Sequence, residues 1–185
     1  MTVTLLALIA VVTGASRASA GPLTLTVQPS SVQHASGDPS PIPLQLMLTL
    51  NPSANGPVTI CTFAEGSIRV VGFQGNGVRT RPGRTLTSYF APPSILQEQN
   101  LVAIAPGGSA SMPFTIAHVP DGVLLDDVRL SRAGLHPHKV LEYVMPFPGQ
   151  YTFTLRYHYK GPDGGHTDVF RQSVDSGTVT MTLVQ

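Results

Sequence analysis

The residues of this chain best suited to hold a metal are His136-Pro137-His138, with Met145 further along the same stretch. Imidazole and thioether are borderline and soft donors of the kind that bind copper in exported β proteins. His136, His138 and Met145 are therefore the candidate set, with Met112, His158 and His166 elsewhere in the chain. An H-P-H in a loop is also ordinary solvated surface, so no metal is the favoured reading. The second candidate chemistry is charge recognition. Arg79, Arg81 and Arg84 lie close enough to make a cationic edge, and Tyr89 and Phe90 would add aromatic surface beside it. The same residue types also protect and solubilise the edge of a sheet. Nucleophilic chemistry has one candidate, Cys61, which has no neighbouring cation to lower its pKa and reads as a small core residue. The H-E-x-x-H, G-x-S-x-G, phosphate-loop and dinucleotide motifs are absent. Asp126 and Asp127 are adjacent and would face opposite sides of a strand, and Asp121, Asp126 and Asp127 lack the D-x-D-x-D-G pattern of a calcium loop. The expectation is a protein without catalytic residues and without a cofactor.

The elements that would position these residues are strands. In 23–27, Leu23, Leu25 and Val27 alternate with Thr24 and Thr26, and in 44–50 four leucines alternate with Gln45, Met47 and Thr49. Tyr151, Phe153, Leu155, Tyr157 and Tyr159 form a third alternating series, and Val179, Met181 and Leu183 a fourth. A period of two with one apolar face is the mark of a half-buried strand. Weaker strand candidates are 58–63, 67–73, 101–104, 110–116 and 169–174, divided by turn signals such as Gly75-Asn76-Gly77 and Pro106-Gly107-Gly108. The total is about nine short strands. No strand–helix alternation suggests a parallel sheet, and long connections suit Greek-key crossovers. The predicted fold is all-β: a two-sheet antiparallel Greek-key sandwich, immunoglobulin-like, of about 7–9 strands with two long inserts. The inserts are 79–99, too proline-rich for a central strand, and 118–147, with a helical turn expected around 139–144. A Pro/Ser-rich stretch covers 28–43.

Composition narrows the setting. Only 11% of the 185 residues are charged, and 11 basic residues face 10 acidic ones. Such a balance gives no field for holding a polyanion, so nucleic acid is not an expected partner. The segment 3–12 is apolar apart from Thr4 and is followed by Ala18-Ser19-Ala20, the pattern of a secretory cleavage site, although Met1-Thr2-Val3-Thr4 lacks a basic residue. The organisation expected is a signal peptide over 1–20 and one sandwich domain over 21–185. No membrane span remains after cleavage, because the apolar run is too short to cross a bilayer. The single cysteine allows no internal disulfide, so the fold must stand on its core.

Pro146-Phe147-Pro148-Gly149-Gln150-Tyr151 resembles the corner of an immunoglobulin-like sandwich, where a tyrosine opens the penultimate strand. The resemblance implies structural roles for Tyr151 and Gly149. Leu48-Thr49-Leu50-Asn51-Pro52-Ser53, the run from Leu101 through Pro106-Gly107-Gly108-Ser109, and Pro148-Gly149-Gln150-Tyr151 together resemble bacterial exported sandwiches of the BsuPI-like proteinase-inhibitor type over most of 44–160. Asn51-Pro52-Ser53-Ala54-Asn55-Gly56 resembles the NPTTG loop of chagasin-like inhibitors, but Arg81-Pro82 is followed by Gly83 where those carry an RPW loop. Pro106-Gly107-Gly108-Ser109-Ala110-Ser111-Met112 resembles the His-Met segment of periplasmic copper chaperones, with Ser111 in the histidine's place.

The expected function is non-catalytic: a secreted or periplasmic protein that binds another protein or a cell-envelope component through 79–99 and 118–147. The alternatives are inhibition of secreted proteases and, third, periplasmic copper binding.

Overall fold

The computed structural model describes residues 21–36, 38, 40–79, 84–88, 94–116, 118–119, 123–129, 138–145 and 148–185. The expected signal peptide, 1–20, lies outside them. In chain order the elements are β1 (Leu23–Gln28), β2 (Ser31–Ala35), β3 (Ile42–Leu50), β4 (Val58–Cys61), the short helix α1 (Ala64–Ser67), β5 (Ile68–Gly75) and β6 (Val78–Arg79). There follow β7 (Arg84–Ser88), the helix α2 (Ser94–Gln99), β8 (Leu101–Ile104), β9 (Ser109–Ile116), β10 (His118–Val119) and β11 (Val123–Arg129). The last three strands are β12 (His138–Val144), β13 (Gly149–Tyr157) and β14 (Val174–Val184).

The alternating series become the walls of a β-sandwich. Ile42, Leu44, Leu46, Leu48 and Leu50 of β3 are all buried, and so are Tyr151, Phe153, Leu155 and Tyr157 of β13 and Val179, Met181 and Leu183 of β14. They share one core with Leu23, Leu25, Val70, Phe73, Met112 and Ile116. Burying each such side chain is worth about 1.5–3 kcal/mol, which lets the fold dispense with crosslinks.

Eight strands form one hydrogen-bonded path, β6-β5-β13-β14-β1-β3-β9 with β2 added to β14. The path folds into two layers because β1 and β2 divide their pairing. β1 runs antiparallel to β3 over its whole length and meets β14 at one register position, Leu25↔Ser176. After the cis Gln28–Pro29 peptide, β2 runs beside β14 from Ser31 to Ala35. One layer is thus β1-β3-β9 and the other β2-β14-β13-β5-β6. The pairings of β14 with β1 and β2 are parallel, a departure from a wholly antiparallel sandwich. Parallel neighbours require a long crossover, and here nearly the entire chain separates the first strands from the last.

Two irregularities keep the core faces in phase. At Gly72, whose φ is +65°, β5 bulges against β13 and the inward series passes from Ile68 and Val70 to Phe73. Only glycine takes that left-handed conformation without strain. A second shift sets Leu155 against Ser176 and Gly177, and there the Leu155 N–H donates to Ser176 Oγ at 3.0 Å. The serine hydroxyl donates in turn to the Gly177 carbonyl at 2.6 Å, so a polar side chain in the core is satisfied.

The strand expected over 169–174 is not formed as such: Val169 makes one isolated bridge to Thr59, and β14 begins at Val174. Side-chain and backbone bonds hold this connection instead. Thr59 donates to Asp168 from both its Oγ1 and its N–H at 3.0 Å, the Phe170 N–H returns to the Thr59 carbonyl at 2.8 Å, and Tyr159 donates to the Pro162 carbonyl at 2.6 Å. The Arg171 guanidinium lies 5.1 Å from the centre of the Tyr159 ring.

Candidate functional site

The two inserts are not independent loops. Their strands pair with each other into a four-stranded sheet of order β10-β11-β12-β7, in which β7 comes from the first insert and the other three from the second. β12 runs antiparallel to β11 from Arg129↔His138 to Val123↔Val144, and antiparallel to β7 from Ser88↔His138 to Arg84↔Glu142. The helical turn expected at 139–144 is therefore a strand. Lys139-Val140-Leu141-Glu142-Tyr143-Val144 has apolar residues at a helix-like spacing, but β-branched and aromatic types predominate among them. Having a neighbour on each side makes β12 a central strand, where alternation is not required. β7 is at the end of its sheet, which agrees with the prolines around it.

This sheet is fastened to the sandwich from β12. Tyr143 is 6% exposed, and its ring centre lies 4.6 Å from that of Phe73 on β5. Phe73 continues the stack to Tyr151 at 6.0 Å and Phe153 at 6.3 Å. β11 meanwhile lies against α1, β5 and β9, so it reaches both layers of the sandwich.

The candidate residues separate on this frame. Arg79 is exposed at the end of β6, an edge of the sandwich, next to Val78 at 69% exposure. Arg84 opens β7, an edge of the insert sheet, as the register partner of Glu142. Arg81, Tyr89 and Phe90 lie outside the described residues, as does His136. His138 and Met145 bracket β12, at opposite ends of a strand that rises about 3.3 Å per residue. Their backbone positions are a strand's length apart, and Met145, at 2% exposure, belongs to the core. Met112 is in the core as well. Asp126 and Asp127 sit mid-strand in β11, in register with Leu141 and Val140. Among the described residues no three His, Cys, Asp or Glu side chains group as a metal site.

Tyr151 faces the core with its ring on Phe73, and Gly149 opens β13 with φ +156° beside Asn76. Asn76 and Gly77 form the two-residue turn between β5 and β6, both with positive φ. Cys61 is fully buried: its thiol points to the Gln97 carbonyl at 3.7 Å and its N–H donates to the Tyr157 hydroxyl at 2.9 Å. Burial pushes the Tyr157 phenol above its ordinary pKa, so it remains neutral.

A charged group that the sequence did not point to occupies the outer face of the second layer. Arg156 forms a two-pronged pair with Asp175, Nε to Oδ1 at 2.5 Å and Nη2 to Oδ2 at 2.6 Å. The hydrogen bond from Arg156 holds the Asp175 carboxyl below the usual carboxylate range. The two side chains are 34% and 39% exposed, so the pair contributes no more than about 1 kcal/mol. His158 stands beside it, with Nδ1 3.1 Å from Ser173 Oγ. Burial first, then the charges of Lys160, Arg69 and Arg156, lower its pKa.

The fold and site together define a class: a β-sandwich carrying an appended sheet built from two inserts. No protein-family model matches the chain, and no curated protein matches it. Among solved structures it is similar to AggA, the major subunit of aggregative adherence fimbriae type I from Escherichia coli, at 14% identity and a TM-score of 0.30. The match covers 88% of this chain and 95% of that one. None of these findings relates the chain to BsuPI-like inhibitors. No helix among the described residues is long and apolar enough to cross a membrane.

Proposed function

We propose that this chain is a non-catalytic exported protein, matured by removal of residues 1–20 to leave one domain over 21–185, that binds another protein or a cell-envelope component through the insert sheet. The observation that carries this reading is the pairing of β7 with β12, which joins both inserts into one surface anchored on the core. Segments that stand outside the repeating frame of a sandwich, held by a rigid scaffold, are where binding residues concentrate. The sheet also offers a mode of binding. β7 is terminal in the order β10-β11-β12-β7, and a terminal strand can accept a further strand from a partner through main-chain hydrogen bonds.

A photoreactive side chain placed at Thr85 or Thr87 of β7 should crosslink a partner from the secreted or envelope fraction. The same group at Thr24, exposed on β1, should give no adduct. Adducts at Thr24 with none at β7 would overturn the assignment.

A further inference from the structure

Among the described residues, the outer face of the second layer carries more positive charge than its carboxylate neutralises. Arg69, Arg156 and Asp175 form one row across β5, β13 and β14, because Arg156 is the register partner of both others. Arg156 occupies both oxygens of Asp175. Arg69 is left over. Its Nε is buried without a hydrogen-bond partner, and the residue directly across the ladder is another cation. Cross-strand pairing disfavours like charges, and buried donors without acceptors are rare in folded proteins. Both departures fall on the same residue.

The surroundings of Arg69 supply further donors. The His158 backbone N–H donates to the carbonyl of Ser67 at 2.7 Å, which carries the β13–β5 ladder past Arg69 and brings the imidazole to this face. Ser173 places a hydroxyl against His158, and Lys160 follows as an exposed cation. Lys160, Arg69 and Arg156 all lie near enough to His158 for their charges, after burial, to lower its pKa.

We infer that Arg69, with His158, Ser173 and Lys160, forms a binding site for an oxyanion, a carboxylate or phosphate group presented by a ligand. A guanidinium offers such groups a planar fork of donors. None of its four residues belongs to the insert sheet, so the site stands whether or not that sheet binds a partner.

The test is a titration of the full chain with inorganic phosphate, and in a second arm with acetate, at ionic strength fixed with sodium chloride. Amide and Arg69 side-chain NMR shifts are the readout. Saturable shifts should cluster at 67–71, 156–160 and 173–175, and the thermal midpoint should rise in the anion that binds. Saturation by phosphate alone assigns a tetrahedral group and by acetate alone a carboxylate; either result, or both, supports the site. Arg69→Gln should bind at least tenfold more weakly yet be no less stable than the parent in chloride, because it removes a buried donor without an acceptor. Arg69→Lys, which keeps the charge and loses the fork, should also weaken binding. Linear, unsaturable shifts in both arms, or unchanged affinity in both variants, would overturn the inference.

Discussion

Replacing Tyr143 by alanine is expected to cost about 3–5 kcal/mol in chemical denaturation, the range for removing a buried aromatic side chain. Tyr143 does more than fill space. It is the aromatic link from β12 to Phe73, and Phe73 is itself stacked with Tyr151 and Phe153. Hydrogen exchange should show a regional effect: amides of 123–129 and 138–144 lose protection, while those of β3, β13 and β14 retain theirs. Local opening of a cooperative unit at lower free energy than the whole fold has this signature. A loss below about 1 kcal/mol, outside the range for a core aromatic, would show that the insert sheet does not depend on this contact.

The second large effect is expected at Gly149→Ala. The φ of Gly149, +156°, is one that side-chain-bearing residues rarely adopt, and a Cβ there would collide with Asn76 Oδ1. The exposed Asn76 can withdraw its side chain only by giving up a hydrogen bond. Its side-chain oxygen accepts the Gln150 N–H at 3.1 Å, and its own N–H donates to the Gln150 carbonyl at 2.8 Å. The substitution therefore strains the start of β13 and disturbs the β5–β6 turn at once, at a cost of about 2–4 kcal/mol. Gly56→Ala, where a Cβ would meet nothing within 4 Å, is the control and should fall within about 0.5 kcal/mol of the parent.

The contrast between these two regions shows what the sequence could reveal. β1, β3, β13 and β14 are legible because Leu, Val, Phe and Tyr alternate with Thr and other polar residues, and each strand has one wet face. Gly149 and Tyr151, expected at a sandwich corner by resemblance, lie at the start of β13. β5 is harder to read. The Gly72 bulge moves its inward residues from even to odd positions, and period-two reading loses the phase there.

The inserts are illegible for a different reason. β7 finds its partner in β12, on the far side of α2, β8 and β9, and nothing in Arg84-Thr85-Leu86-Thr87-Ser88 names that partner. β11 carries Asp126-Asp127 in mid-strand, which breaks the apolar pattern, and β2 lies in a stretch whose prolines and serines read as loop. The cationic edge expected from Arg79, Arg81 and Arg84 is divided at its ends between two sheets, Arg79 on β6 and Arg84 on β7. Arg69, Arg156 and Asp175 meet only because register aligns three strands, and register is not encoded in local spacing.

Backbone NOEs between β7 and β12 test the joining of the two inserts most directly. The expected result is cross-strand contacts at Leu86–Val140 and Thr85–Leu141, with slowed amide exchange along both strands. Complete absence of β7–β12 contacts, with the amides of 84–88 exchanging as fast as in an unstructured peptide, would contradict it.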